Sequence, residues 1–245
     1  MARIRLLNTY IDNLTMQEAI HSIDKLIQKK EKSYVVTPNL DHIVLIEKDC
    51  LFKEIYEMAS LILTDGQPLI WISKIKHTPI VQKVSGSDLF PKVCEMASMK
   101  GYSLFILGAA KGVAEKAADN LCMKYEGLKV VGTYSPKIGF EKDKKEMNHI
   151  YQMIHDVKPD ILAVSLGSPK GEKFIYQNLE ELDVPLSMSI GAAVDFEAGK
   201  VNRAPNWMSK CGLEWLYRTF KEPKRLAKRY WNDAKSIIPI LIKYK

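Results

Sequence analysis

The sequence predicts an α/β protein built on a largely parallel, Rossmann-like sheet with flanking helices, ending in a basic amphipathic helical appendage. Two observations predict the body: apolar runs of strand length alternate with stretches of helical periodicity, and the loops after those runs are rich in Gly, Asn and Asp. The third predicts the appendage. Of 36 Lys and Arg and 29 Asp and Glu, nine basic and two acidic residues fall within 218–245, leaving 27 of each in 1–217. A neutral body is thus joined to a tail carrying the whole excess of +7, and such a tail seeks an anionic surface.

The elements follow in order. Thr15 and Glu18 form a capping box ahead of Ala19, Ile20, Ile23, Leu26 and Ile27, which share one helical stripe. The runs 34–37, 61–64, 103–107, 129–132, 161–166 and 186–190 are expected strands. A helix is expected over 141–157, where Met147, Ile150, Met153, Ile154 and Val157 recur at three- and four-residue spacing beside a charged, solvated face. Pro205 and Gly212 interrupt the pattern, dividing the chain into a body, 1–200, and an appendage, 201–245. In the appendage Trp215, Leu216, Phe220, Leu226, Tyr230 and Trp231 alternate with basic residues, a composition suited to a bilayer interface or a nucleic acid.

At 245 residues and 47% hydrophobic the chain has ample material for one buried core. Cys50, Cys94, Cys122 and Cys211 form no CxxC pair and read as inert thiols of a reducing compartment. Arg3, Arg5, Asn8, Asp12 and Asn13 leave no apolar core for a secretory leader, so a cytoplasmic location is expected. The apolar run 236–242 is short and interrupted by Pro239, so any membrane contact is expected to be peripheral.

In an open α/β sheet, ligands bind beyond the carboxyl ends of the strands. Five such loops stand out: Thr37-Pro38-Asn39, Thr64-Asp65-Gly66, Gly108 to Gly112, Gly167 to Gly171, and Gly191 to Asp195. The third and fourth each open a helix, where glycine lets backbone N–H groups approach a phosphate. The fifth delivers a carboxylate suited to ribose or sugar hydroxyls. Together they suggest a nucleotide pocket. Each also has a plainer reading. Asn39 caps a helix, Asp65-Gly66 makes a turn, Gly108 and Gly112 serve close packing, and Lys170 is a surface lysine. The five histidines form no HxxxH or HExxH arrangement, which argues against zinc; GxSxG, Walker and Asp-x-Asp motifs are also missing. No metal and no cofactor are therefore expected.

Thr37-Pro38-Asn39, Asp65-Gly66, Val84-x-Gly86-x-Asp88, Leu107-Gly108, Leu166-Gly167-x-Pro169-Lys170, Gly199-Lys200-Val201-x-Arg203-Ala204-Pro205 and the block from Gly212 to Tyr230 resemble the WecG/TagA/CpsF glycosyltransferases. The resemblance runs in order over nearly the whole chain. It implies an inverting transferase that moves a sugar, N-acetylmannosamine in the best-known members, from a UDP-sugar to polyprenyl-diphosphate-linked N-acetylglucosamine. Those members serve wall teichoic acid, enterobacterial common antigen and capsule or exopolysaccharide synthesis. Asp65 would be the general base, and Thr37 and Asn39 would orient donor or acceptor. Lys83, Gly108, Gly167, Lys170, Gly191 and Asp195 would line the nucleotide pocket, with Arg218 and Arg225 stabilising the departing diphosphate. Lys224, Lys228, Arg229 and Trp231 would dock on the inner membrane face.

Two positions depart from the family's pattern. Lys83 stands where Arg is usual, which keeps charge but loses bidentate recognition. Gly171 stands where Gln is usual, which removes an amide. Another UDP-hexose or UDP-uronic acid donor is the alternative within the class. Outside it stand a nucleic-acid-binding protein and a catalytically inactive scaffold, and self-association is left open.

Overall fold

The computed structural model describes residues 3–201, 204, 205, 208, 216, 217, 219 and 223–244, with side chains in the last segment described from Trp231 onward. The chain opens with a hairpin, β1 (Arg3–Leu6) and β2 (Thr9–Asp12), paired antiparallel. Helix α1 (Met16–Lys29) follows its expected capping box: the Thr15 side chain accepts from the Glu18 N–H, and Glu18 reaches back to the Thr15 N–H at 2.8 Å.

The six expected strands all form: β3 (Ser33–Val36), β4 (Leu61–Ile62), β5 (Ser103–Gly108), β6 (Lys129–Tyr134), β7 (Ile161–Ser165) and β8 (Leu186–Ser189). They make one sheet in the order β4-β3-β8-β7-β5-β6, parallel throughout. Between them run α2 (Leu40–Lys48), α3 (Cys50–Glu57), α4 (Gln67–Ile75), α5 (Gly86–Lys100), α6 (Val113–Lys124), α7 (Lys144–Val157), α8 (Lys170–Gln177), α9 (Leu179–Leu182) and α10 (Ala193–Glu197). The chain described ends in α11 (Pro223–Lys243).

Successive strand side chains enter opposite layers, as the two-residue period of a strand requires. Tyr34, Val36, Leu162 and Val164 join one buried cluster with residues of α2, α3 and α8. Val35, Ile161, Ala163, Leu186 and Met188 join the other, with residues of α1, α5 and α6. A sheet buried on both faces explains why its strands read as continuous apolar runs.

The structure refines three expectations. The helix expected from residue 141 starts at Lys144, because the Asp143 side chain accepts from the Lys145 and Glu146 N–H groups; a 3-10 turn, Phe140–Lys142, precedes it. Pro239 lies inside α11 and does not end it. The final turns of α11 lie against α2, and Ile237 and Ile240 are buried in the same cluster as Ile43, Val44 and Ile46. Lys243 Nζ meets Glu47 Oε1 at 2.6 Å, and Lys48 Nζ donates to Ser236 Oγ at 3.4 Å. Part of the appendage is thereby core. No described helix is long and apolar enough to cross a membrane.

Candidate active site

A cavity of about 410 Å³ opens beyond the carboxyl ends of the parallel strands. It gathers Thr37 and Asn39 after β3, Asp65 after β4, Ala109 after β5, Ser165, Gly167 and Ser168 at β7, and Ser189 to Ala193 after β8. Asp195 and Phe196 of α10 complete that side.

The loops are fixed by backbone bonds. The Asp65 N–H donates to the Pro38 carbonyl at 2.8 Å, joining the ends of β3 and β4, and the Val84 N–H donates to the Thr64 carbonyl at 2.9 Å. Asn39 caps α2, its Oδ1 accepting from the His42 N–H at 3.2 Å, and the residue also lines the cavity. Val84-x-Gly86-x-Asp88 is a helix start. The Ser85 hydroxyl accepts from the Asp88 N–H and donates to the Asp88 carboxylate at 2.6 Å. A Cβ on Gly86 would stand 3.3 Å from Thr37 Oγ1, so its absence lets the positive end of α5 come close to β3.

Among the expected nucleotide-site residues, Gly167, Gly191 and Asp195 line the cavity. The Gly191 carbonyl accepts from Ser165 Oγ at 2.7 Å, and Asp195 Oδ1 lies 3.5 Å from Lys200 Nζ. Three others stand outside its lining. Gly108 is a packing glycine: a Cβ there would lie 2.4 Å from the Ser165 carbonyl oxygen, at φ +110°. Lys170 Nζ pairs with Glu141 at 3.1 Å and sits over the Phe140 ring. Lys83 Nζ lies 3.5 Å from Asp88 Oδ2. Arg218 and the side chains of Lys224, Arg225, Lys228 and Arg229 lie outside the described residues; Trp231 is exposed.

Sequence reasoning missed a second layer of the cavity. His42 lines it and is buried, with Nδ1 2.7 Å from the Tyr56 hydroxyl. Burial holds the Tyr56 phenol well above its usual pKa, and the Glu172 and Asp65 charges add to the effect. Glu172, third residue of α8, also lines the cavity although buried, and its Oε1 accepts from Ser189 Oγ at 3.0 Å. Burial raises its carboxyl pKa, opposed by its own backbone N–H and by the Ser189 and Ser168 hydroxyls. The signal for Glu172 was its spacing: three residues before Ile175, it belongs to the apolar face of α8.

The described lining holds four carboxylates, Asp41, Asp65, Glu172 and Asp195, and no Lys or Arg. Among the described residues, no three His, Cys, Asp or Glu form a metal-ligand group. Positive potential in the described site therefore comes from helix starts, those of α2, α5 and α8.

An all-parallel sheet with a polar cleft at its strand ends is a Rossmann-like ligand-binding architecture. The chain belongs to the glycosyl transferase WecG/TagA/CpsF family, whose pattern it matches over residues 4–245. It is a glycosyltransferase. A Bacillus subtilis (strain 168) protein named N-acetylglucosaminyldiphosphoundecaprenol N-acetyl-beta-D-mannosaminyltransferase is 28% identical over 215 residues, 88% of this chain and 81% of that protein. Proteins of the same name from Bacillus spizizenii and Staphylococcus aureus (strain MW2) are 26% and 25% identical, covering 88% and 93% of this chain and 82% and 88% of their own lengths.

Proposed function

We propose that the protein transfers N-acetylmannosamine from a UDP-sugar to N-acetylglucosamine carried on a polyprenyl diphosphate, with inversion at the anomeric carbon. The observation that carries this reading is the meeting, in one cavity of a chain of this family, of Asp65 with Thr37 and Asn39 on one side and the Gly191 to Asp195 loop on the other. Asp65 accepts the proton of the acceptor hydroxyl as its oxygen attacks the anomeric carbon; the bond to UDP breaks and its electron pair leaves with the diphosphate.

An acidic lining repels a diphosphate unless cations are supplied. The basic excess of 218–245 meets that need, so Arg218 and Arg225 are assigned to the leaving diphosphate, and Lys224, Lys228, Arg229 and Trp231 to an anionic membrane surface. The names of the relatives favour this reading over a nucleic-acid binder or an inactive scaffold.

The test is UDP release from UDP-N-acetylmannosamine with a short-chain polyprenyl-diphosphate N-acetylglucosamine acceptor. Acceptor-dependent release that falls by at least about a hundredfold in Asp65→Asn supports the assignment. Release unchanged by the substitution removes Asp65 as the base, and no release from this donor removes the substrate assignment.

A further inference from the structure

Glu172 combines three properties that belong together in a ligand-reading group. Its side chain lines the cavity while the residue is only 4% exposed. One carboxyl oxygen is held by Ser189 Oγ at 3.0 Å, which fixes the direction of the other. That other oxygen, Oε2, is buried and accepts no bond of hydrogen-bonding geometry, although the Ser168 hydroxyl acts on the same carboxyl. A buried acceptor left unpaired is costly, and a ligand that donates to it recovers that cost.

Gly171 makes the arrangement possible. A Cβ at position 171 would stand 2.9 Å from Ser189 Oγ, so a larger residue would press on the hydroxyl that orients Glu172. Glu172 lines the same cavity as the proposed base Asp65 and as Asp41. Phosphate oxygens offer this carboxyl no proton, whereas a sugar offers hydroxyl and amide N–H donors.

We propose that Glu172 is a specificity-determining residue whose Oε2 accepts a hydrogen bond from a neutral O–H or N–H of the transferred sugar, with Ser189 as its positioning residue. The proposal rests on the UDP-sugar reading above. Its test is calorimetric titration of the full chain with UDP and with UDP-N-acetylmannosamine, comparing wild type with Glu172→Met, which fills similar volume without the carboxyl acceptor, and Glu172→Gln, which retains one. The expected result is a Glu172→Met protein with a melting temperature no lower than wild type and unchanged UDP affinity whose preference for the UDP-sugar over UDP falls about tenfold. Glu172→Gln should keep that preference within about threefold.

An unchanged preference in Glu172→Met overturns the proposal, and so does an equal loss of UDP and UDP-sugar affinity, which would place Glu172 at the nucleotide. Should Glu172→Met not fold, Ser189→Ala must weaken the preference in the same direction, and no change there is equally fatal. Wild type binding neither ligand would instead defeat the underlying UDP-sugar reading.

Discussion

Replacing Gly108 by alanine separates two meanings of a glycine at a strand end. If it serves phosphate contact, a methyl group there harms ligand binding and leaves the fold intact. The structure says packing: the added Cβ meets the Ser165 carbonyl oxygen at 2.4 Å and its carbon at 2.6 Å, both backbone atoms of the neighbouring strand β7. Backbone cannot swing aside as a flexible side chain can. Relief requires parting β5 from β7 where Gly108 pairs with Ser165, and straining the bond of 2.8 Å from the Ala109 N–H to that same carbonyl. Forcing alanine to φ +110° costs about 1–3 kcal/mol. Overpacking adds about 1–3 kcal/mol, and the weakened hydrogen bond about 1 kcal/mol. The expected destabilisation is thus about 4 kcal/mol, read as a lowered urea midpoint at constant slope. Gly112 is the control. It has φ +79° and open space around its Cβ position, so Gly112→Ala should cost only about 1 kcal/mol. A Gly108→Ala protein within about 1 kcal/mol of wild type, or no less stable than Gly112→Ala, would refute the packing argument.

Other substitutions test the appendage and the buried carboxyl. Ile240 is 3% exposed in the cluster shared with α2, so Ile240→Ala should lower unfolding free energy by about 2–4 kcal/mol in urea titration. Replacing Lys224, Lys228 and Arg229 by Gln should weaken binding to anionic vesicles by about a hundredfold at low salt without lowering the melting temperature, as co-sedimentation and thermal unfolding would report. Glu172 binds its proton more tightly folded than unfolded, so its contribution to stability is full below the ordinary glutamate pKa of about 4.3 and is lost as pH rises through the raised folded value. The melting temperature of wild type should therefore fall relative to Glu172→Gln as pH is raised from about 4 to about 8.

Much of the fold was legible because local signals agreed with it. The apolar runs became strands, and Thr15 with Glu18 started α1. The hairpin β1–β2 was not legible: its strands are four residues each, closed by the cross-strand Arg3–Asp12 ion pair at 2.9 Å and tied to the sheet by Asp12 accepting from the Ile62 N–H at 2.8 Å. Helix α11 runs on through Pro239 while packed against α2, a tertiary contact that local propensity does not encode. In the site, the helix-cap reading of Asn39 holds, and the same residue lines the cavity. Lys170 stands in a surface ion pair with Glu141. Glu172 was hidden within a charged stretch, Lys170 to Lys173, where one carboxylate turns inward and its neighbours do not.

The docking of α11 on α2 bears on how the protein is made. Synthesis proceeds from the amino end, so every strand of the sheet, and the apolar flank of α2, leaves the ribosome before Ile237 and Ile240 exist to cover it. Until then Ile43, Val44 and Ile46 belong to an unfinished surface of the kind that chaperones hold and that aggregation exploits. A product cut short within α11 would be a misfolding hazard to the cell as well as an idle enzyme, which places these positions under the scrutiny of proteolytic quality control.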